Sequence, residues 1–171
     1  MNLFFRLLHT LTFSRFRTPV DIFSPCQTPF RCWPTDLDVL LHMNNGKYFS
    51  LMDLARVDLM IRAKLLKKLN QQGWYPVVVA ETIRFKKSLK AFDSFVIETQ
   101  VVGWDEKAIL LQQQFLRKGE VVCQAHIRSR FLKKTGGSVS PQELLNLIGT
   151  EGPSPELAPW LANWNDNQKN N

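Results

Sequence analysis

The side chains best suited to chemistry crowd into one stretch, Trp33 to Arg56, which reads W-P-T-D-L-D-V-L-L-H-M-N-N-G-K-Y-F-S-L-M-D-L-A-R. Two carboxylates (Asp36 and Asp38), an imidazole (His42) and two amides (Asn44 and Asn45) stand just ahead of an apolar helical pattern. A loop carboxylate can attack a carbonyl carbon or take a proton from water. The unpaired backbone N–H groups at the start of the next helix point at the negative charge such a reaction develops. Asp38, with the amides of Asn45, Gly46 and Lys47, could supply those parts. A competing reading makes Asp38 a turn aspartate bonded to nearby backbone. Asp36 is expected to fix the loop. His42 reads as a hydrogen-bonded loop residue or a base, and Asn44 and Asn45 could equally be left-handed turn residues.

The elements that must hold these groups follow from periodicity. Residues 45–69 read as one helix, with Gly46 near its start and Gly73 beyond its end. Its apolar positions run almost round the circumference, so it is expected to be buried. Four strand-like runs follow, at residues 75–85, 92–104, 108–117 and 121–133, separated by turn-forming residues. In the last run Cys123, Ala125, Ile127, Ser129 and Phe131 face one way, while Gln124, His126, Arg128 and Arg130 face the other. A long helix followed by an antiparallel meander predicts an α+β fold with the sheet wrapped on the helix. Prolines keep residues 19–34 extended, with at most an edge strand at 30–33. After a Gly/Ser linker at 135–140, a short helix runs to Ile148. Trp160, Leu161 and Trp164 could pack back on the domain, and about the last six residues are expected to be disordered.

At 171 residues, 44% hydrophobic and 22% charged, the chain suits one globular domain with modest tails. A net charge of +7 favours anionic partners. No basic-aromatic motif supports nucleic acid among them. Three cysteines at no metal-ligand spacing, and three scattered histidines, argue against a metal site and for reduced thiols in a cytoplasmic protein. Residues 1–17 form an amphipathic pattern in which Leu3, Phe4, Leu7, Leu8 and Leu11 oppose Asn2, Arg6, His9 and Thr10. The run is too short to span a bilayer and lacks a signal-peptide pattern. Two readings stand for it: weak association with an anionic membrane surface, or docking on its own domain or a dimer partner.

The pattern Asp36-Leu-Asp38-Val-Leu-Leu-His42-Met-Asn44-Asn45-Gly-Lys-Tyr48 resembles that of 4-hydroxybenzoyl-CoA thioesterase-type hotdog-fold proteins. The L-L-H-M-N-N wording and the apolar-basic lead look most like the branch called thioesterase superfamily member six. The resemblance implies a hotdog domain over residues 25–134, preceded by a basic segment, 1–24, and followed by a linker and tail, 135–171. It implies that Asp38 is the catalytic carboxylate, as nucleophile or general base. The N–H near Asn45 would polarise the thioester carbonyl, and His42 and Asn44 would shape the site. Many members carry glycine before the histidine, where this chain has Leu41.

The activity implied is hydrolysis of an acyl-CoA or acyl-carrier-protein thioester, with no cofactor beyond the coenzyme A of the substrate. Its phosphates need a cationic rim, for which Arg84, Lys86, Lys87 and Lys90 at one strand end and Arg128 and Arg130 on the last strand are candidates. Tyr48, Phe49, Met52 and Leu59 are candidates for the substrate and acyl lining, though such a stripe also suits plain core. Sheet-edge pairing into a homodimer or homotetramer is also implied. The alternative is a non-catalytic binder of acyl-CoA or acyl-carrier protein at a membrane surface.

Overall fold

The computed structural model describes residues 3–169. Its centre is an antiparallel sheet of β1 (Cys26–Arg31), β2 (Trp74–Phe85), β3 (Ser94–Trp104), β4 (Ile109–Arg117), β5 (Glu120–Lys133) and a short β6 (Ser138–Val139). The order is β1-β3-β4-β5-β2, with β6 continuing along β5. Register shifts at Val78/Ala80, Val101/Gly103 and Phe115/Leu116 curl these long strands. The concave face wraps helix α2 (Asn45–Arg62), whose Leu51, Met52, Leu54, Ala55 and Leu59 are buried. The α+β arrangement of one helix inside an antiparallel sheet is as expected, but only β3, β4 and β5 form a meander: β2 pairs with β5 and not with its chain neighbour β3.

Three boundaries differ from the sequence reading. The expected edge strand is longer: β1 begins at Cys26 and pairs with β3 through Pro29, whose missing N–H is tolerated on an edge. The expected single helix breaks after Ala63, because Lys64 is left-handed at φ 57°; α3 (Leu65–Gln72) then runs to left-handed Gly73. The break turns Leu65 and Leu69 into the core and lets Lys68 Nζ donate to the carbonyl of Leu147 at 3.0 Å. The expected disordered end is instead helix α5 (Pro159–Lys169), and residues 170–171 lie outside the described residues.

Both ends of the chain dock through polar contacts. Helix α1 (Leu3–Phe13) packs against α2 with Arg6 and Thr10 turned inward and buried, so docking on its own domain is what happens. Asn2 of the expected polar face lies outside the described residues. At the other end, α4 (Pro141–Ile148) is capped by Ser140, which accepts from the Glu143 N–H, and buries Leu144 and Leu145. The segment beyond crosses the outside of β3. Ser154 Oγ accepts from the Trp104 N–H at 2.8 Å, and a Cβ at Gly103 would come within 2.7 Å of Leu157. Only glycine lets the strap lie that close.

Helix α5 then covers the polar face of β5. Arg128 donates to Asp105 at 2.8 Å and to Asn165 at 3.0 Å, and Trp160 meets the His126 ring edge-on at 4.6 Å. Burial pulls the Asp105 carboxyl up, but the N–H of Lys107, the Asn165 amide, the N–H of Ala108 and the Arg128 guanidinium together hold it below the usual range. Burial alone holds His126 below its ordinary 6.5. A depressed imidazole contributes stability that is complete above its unfolded pKa and is lost as pH falls through the folded one. His126→Gln is therefore expected to lose less stability than wild type between about pH 7 and pH 5, read by urea titrations at each pH.

Candidate active site

The loop ahead of α2 is a small hairpin. Leu37 bridges Met43, the Asp38 N–H donates to His42 O at 2.8 Å, and the Leu41 N–H donates to Asp38 O at 3.0 Å. A three-residue tip of this kind ends on a left-handed residue, normally glycine. Leu41 takes that role at φ 58°. The backbone geometry thus survives without the glycine, at a cost of about 1 kcal/mol for a side chain in that region. Val39, Leu40 and Leu41 project into solvent at the tip.

Asp38 is half-buried at the hairpin's end. Its Oδ1 accepts from the Leu40 N–H at 2.9 Å and weakly from the His42 N–H at 3.4 Å. Among the described residues no hydrogen bond engages its Oδ2. The turn role thus occupies Oδ1 alone. Asp36 does fix the loop. It is 1% exposed, accepts from the Trp33 N–H at 2.8 Å and from Arg6 Nη2 at 2.5 Å, and its carbonyl accepts from the Asn44 N–H at 2.8 Å.

Asn44 caps α2, with Oδ1 accepting from the Gly46 N–H at 2.9 Å and its carbonyl from the Lys47 N–H at 2.8 Å. Asn45 is exposed at the first position of an 18-residue helix, where its backbone N–H has no intrahelical partner. His42 is half-buried in the same hairpin. The four sequence-predicted catalytic candidates are thus brought into one hairpin-and-cap unit.

The substrate-binding candidates divide. The end of β2 adjoins this unit, through the Met43 N–H on Leu89 O at 2.8 Å and the Tyr48–Phe85 ring pair at 4.9 Å. Arg84, Lys86 and Lys87 are exposed there, with Lys87 paired to Glu120 at 2.5 Å. Arg128 is a correction: buried against Asp105 and Asn165 under α5, it cannot serve a cationic rim. Arg130 is half-buried, and its Nε has no hydrogen-bond partner among the described residues. Tyr48 is core, packed between Phe85 and Phe115, and burial raises its phenol to about 12. Met52 is also fully buried core, whereas Phe49 is half-buried on α2. Leu59 lines an apolar cavity of about 330 Å³ with Met60, Val77, Val101 and Phe131. That cavity is not lined by Asp38, His42, Asn44 or Asn45.

The periodicity of α2 concealed a buried polar layer. Arg56 reaches Gln113 at 2.7 Å and Glu81 at 3.3 Å, and Gln113 donates to Thr99 at 2.9 Å. Burial raises the Glu81 carboxyl, against the pull of Arg56. Asp58, wholly buried, accepts from Arg17 and Thr28, each at 2.6 Å, and from Arg62 at 3.4 Å. The Asp58–Arg62 and Asp53–Arg56 pairs, four and three residues apart on one helix, were the signals available in the sequence. The three cysteines are free and buried as expected, and burial lifts Cys26 and Cys32 to about 11 and Cys123 to about 12. Among the described residues no cluster of three or more His, Cys, Asp or Glu side chains could hold a metal.

Two stability changes are expected in urea denaturation. Arg6→Ala, which strands the Asp36 charge, should cost about 3 kcal/mol. Leu41→Gly should stabilise by at most about 0.5 kcal/mol, the left-handed strain relieved less the added entropy of the unfolded chain.

Comparison with known proteins agrees with this architecture. The family model described as the thioesterase-like superfamily matches residues 32–164. The protein named THEM6 of Xenopus laevis is 30% identical over 131 residues, covering 77% of this chain. The chain spans 62% of that relative's length, less than two thirds. Among solved structures, the YbaW probable thioesterase of Escherichia coli superposes with a TM-score of 0.67 at 24% identity, over 72% of this chain and 96% of that one. A mutant of 4-hydroxybenzoyl CoA thioesterase, complexed with 4-hydroxybenzoyl CoA, superposes with a TM-score of 0.65 at 18% identity, over 72% and 98%. These two likenesses establish the hotdog fold. With the family model covering most of its length, the chain belongs to the thioesterase-like superfamily.

Proposed function

We propose that the protein hydrolyses an acyl-CoA thioester to a carboxylic acid and free coenzyme A, with Asp38 as the reacting carboxylate. The observation that carries this reading is the division of labour at Asp38: Oδ1 is held by the hairpin, while Oδ2 has no hydrogen bond among the described residues. Seven residues on, the Asn45 N–H opens the 18-residue α2. In the reaction, Oδ2 attacks the thioester carbon or removes a proton from the attacking water. The carbonyl oxygen, becoming an oxyanion, accepts from the Asn45 N–H and gains from the positive end of the helix dipole. Where Oδ2 attacks, the thiolate of coenzyme A leaves a mixed anhydride on Asp38 and takes its proton from water, and a second water hydrolyses the anhydride to the acid. Where Oδ2 acts as base, the proton it takes from the attacking water passes to the departing thiolate.

Arg84 and Lys86, exposed beside this unit and without a carboxylate partner among the described residues, suit the coenzyme A phosphates. Lys87, already paired with Glu120, contributes less. His42 and Asn44 shape the pocket, Asn44 through its hold on the Gly46 N–H. The open edge of β2 shows Tyr75, Val78, Val79 and Phe85 to solvent. Pairing with a second copy would cover that edge and bring a second wall to the site. The left-handed backbone retained at Leu41 favours catalysis over the non-catalytic acyl-CoA binder, because the hairpin that aims Asp38 is intact.

The test is hydrolysis of short, medium, long and aromatic acyl-CoAs by wild type and Asp38→Asn. The variant should lose at least about 100-fold in kcat while its melting temperature stays within a few degrees of wild type. Equal turnover by the two proteins would sink the assignment of Asp38. No turnover by wild type on any acyl-CoA, with ligand still bound, would leave the binder.

A further inference from the structure

Helix α1 is mounted with its polar face inward. Arg6 and Thr10 are buried, and Ser14 is buried in the turn that follows. Leu7 packs on the core, but most apolar side chains look outward: Phe5 is 59% exposed, Leu8 52%, Phe13 54% and Phe16 84%. Arg6 is pinned to Asp36 at 2.5 Å inside the protein, so the helix cannot roll to hide these residues without stranding two buried charges. An outward apolar face held in that way needs something apolar to cover it.

Charge says what covers it. Residues 1–20 contain Arg6, Arg15 and Arg17 and no acidic residue. Beside α1 lies a cleft of about 760 Å³ against β1 and β3, whose lining includes His9, Arg17, Arg31 and Lys118 and no carboxylate. A second copy of this chain, itself at +7, would bring the same sign to the same surface. An anionic lipid surface supplies both an apolar interior for the phenylalanines and phosphates for the cations.

We propose that the outward face of α1, with the basic cleft at its side, docks the protein in-plane on an anionic bilayer surface. Phe5, Leu8, Phe13 and Phe16 enter the acyl boundary while Arg15, Arg31 and Lys118 meet lipid phosphates. The helix lies on the membrane and does not cross it; among the described residues no helix is long and apolar enough to do so.

The test is co-sedimentation of the full chain with vesicles of phosphatidylcholine alone or with about 30 mol% phosphatidylglycerol. It reads binding without turnover, so its result is separate from the thioesterase reading. Wild type should partition at least about tenfold better onto the anionic vesicles, and raising salt to about 0.5 M should remove that preference. The variant Phe5→Gln/Leu8→Gln/Phe16→Gln touches only exposed positions. It should keep the wild-type melting temperature and lose at least about tenfold in partitioning. Arg15→Gln/Lys118→Gln should narrow the preference for anionic vesicles several-fold. The proposal is overturned by wild type that fails to sediment, by an apolar-face variant that binds as well as wild type, or by a charge variant with an undiminished anionic preference. It is equally overturned if the apolar-face variant dissociates an oligomer in light scattering, which would make the face a contact between copies.

Discussion

The buried carboxylate of Asp36 is the constraint on which the rest of the site depends. A charge at 1% exposure is tolerable only if it is paired and hydrogen-bonded. Asp36 meets that demand by drawing on three separate places: the Trp33 N–H beneath it, Arg6 from α1, and Lys47 at 4.0 Å from the first turn of α2. Its carbonyl holds the Asn44 N–H. The N-terminal helix, the hairpin of Asp38 and the helix that opens on Asn45 are therefore positioned by one group. Removing the carboxyl group would take away all three side-chain contacts at once.

The same device recurs at the periphery. Asp58 gathers Arg17, Thr28 and Arg62, tying the connection after α1 to α2 and β1. Asp105 gathers Arg128 and Asn165, tying α5 to the outside of the sheet. Segments that a hotdog sheet and helix would not by themselves retain are held by single buried carboxylates alongside a little apolar packing, Leu7 from α1 and Leu161 from α5. That choice has a consequence at α1. Because the polar face makes the attachment, the apolar face is left outside, and the segment that braces the hairpin also carries a hydrophobic surface.

At Leu41 backbone geometry and side-chain identity part company. The hairpin requires a left-handed residue at that position, and the tight Asp38–His42 pairing is strong enough to impose it on leucine. With Val39 and Leu40 the leucine also makes an exposed apolar tip beside the Asp38 carboxylate. A glycine there would satisfy the turn but leave the tip smaller.

Local pattern was enough for much of this. The β5 alternation from Cys123 to Phe131, the turn residues between the strands and the apolar run after Asn45 determine antiparallel strands and a buried helix, because each depends on neighbours two to four residues away. The pairing of β2 with β5 instead of β3 does not. The grouping of Asp38, His42, Asn44 and Asn45 was legible for the same reason, since a hairpin and a helix cap are local structures. What periodicity could not reveal is which polar residues are buried and by whom they are paired. Arg128 looked like surface cation because β5 alternates, yet α5 returns from 37 residues away to cover it. Arg6 looked like the outward face of an amphipathic helix, yet a carboxylate 30 residues on draws it inward. The break at Lys64 likewise brings Lys68 to a carbonyl of α4 from 79 residues away. A buried charge is stabilised by whatever partner the fold brings to it, so its place is decided only when the tertiary structure forms.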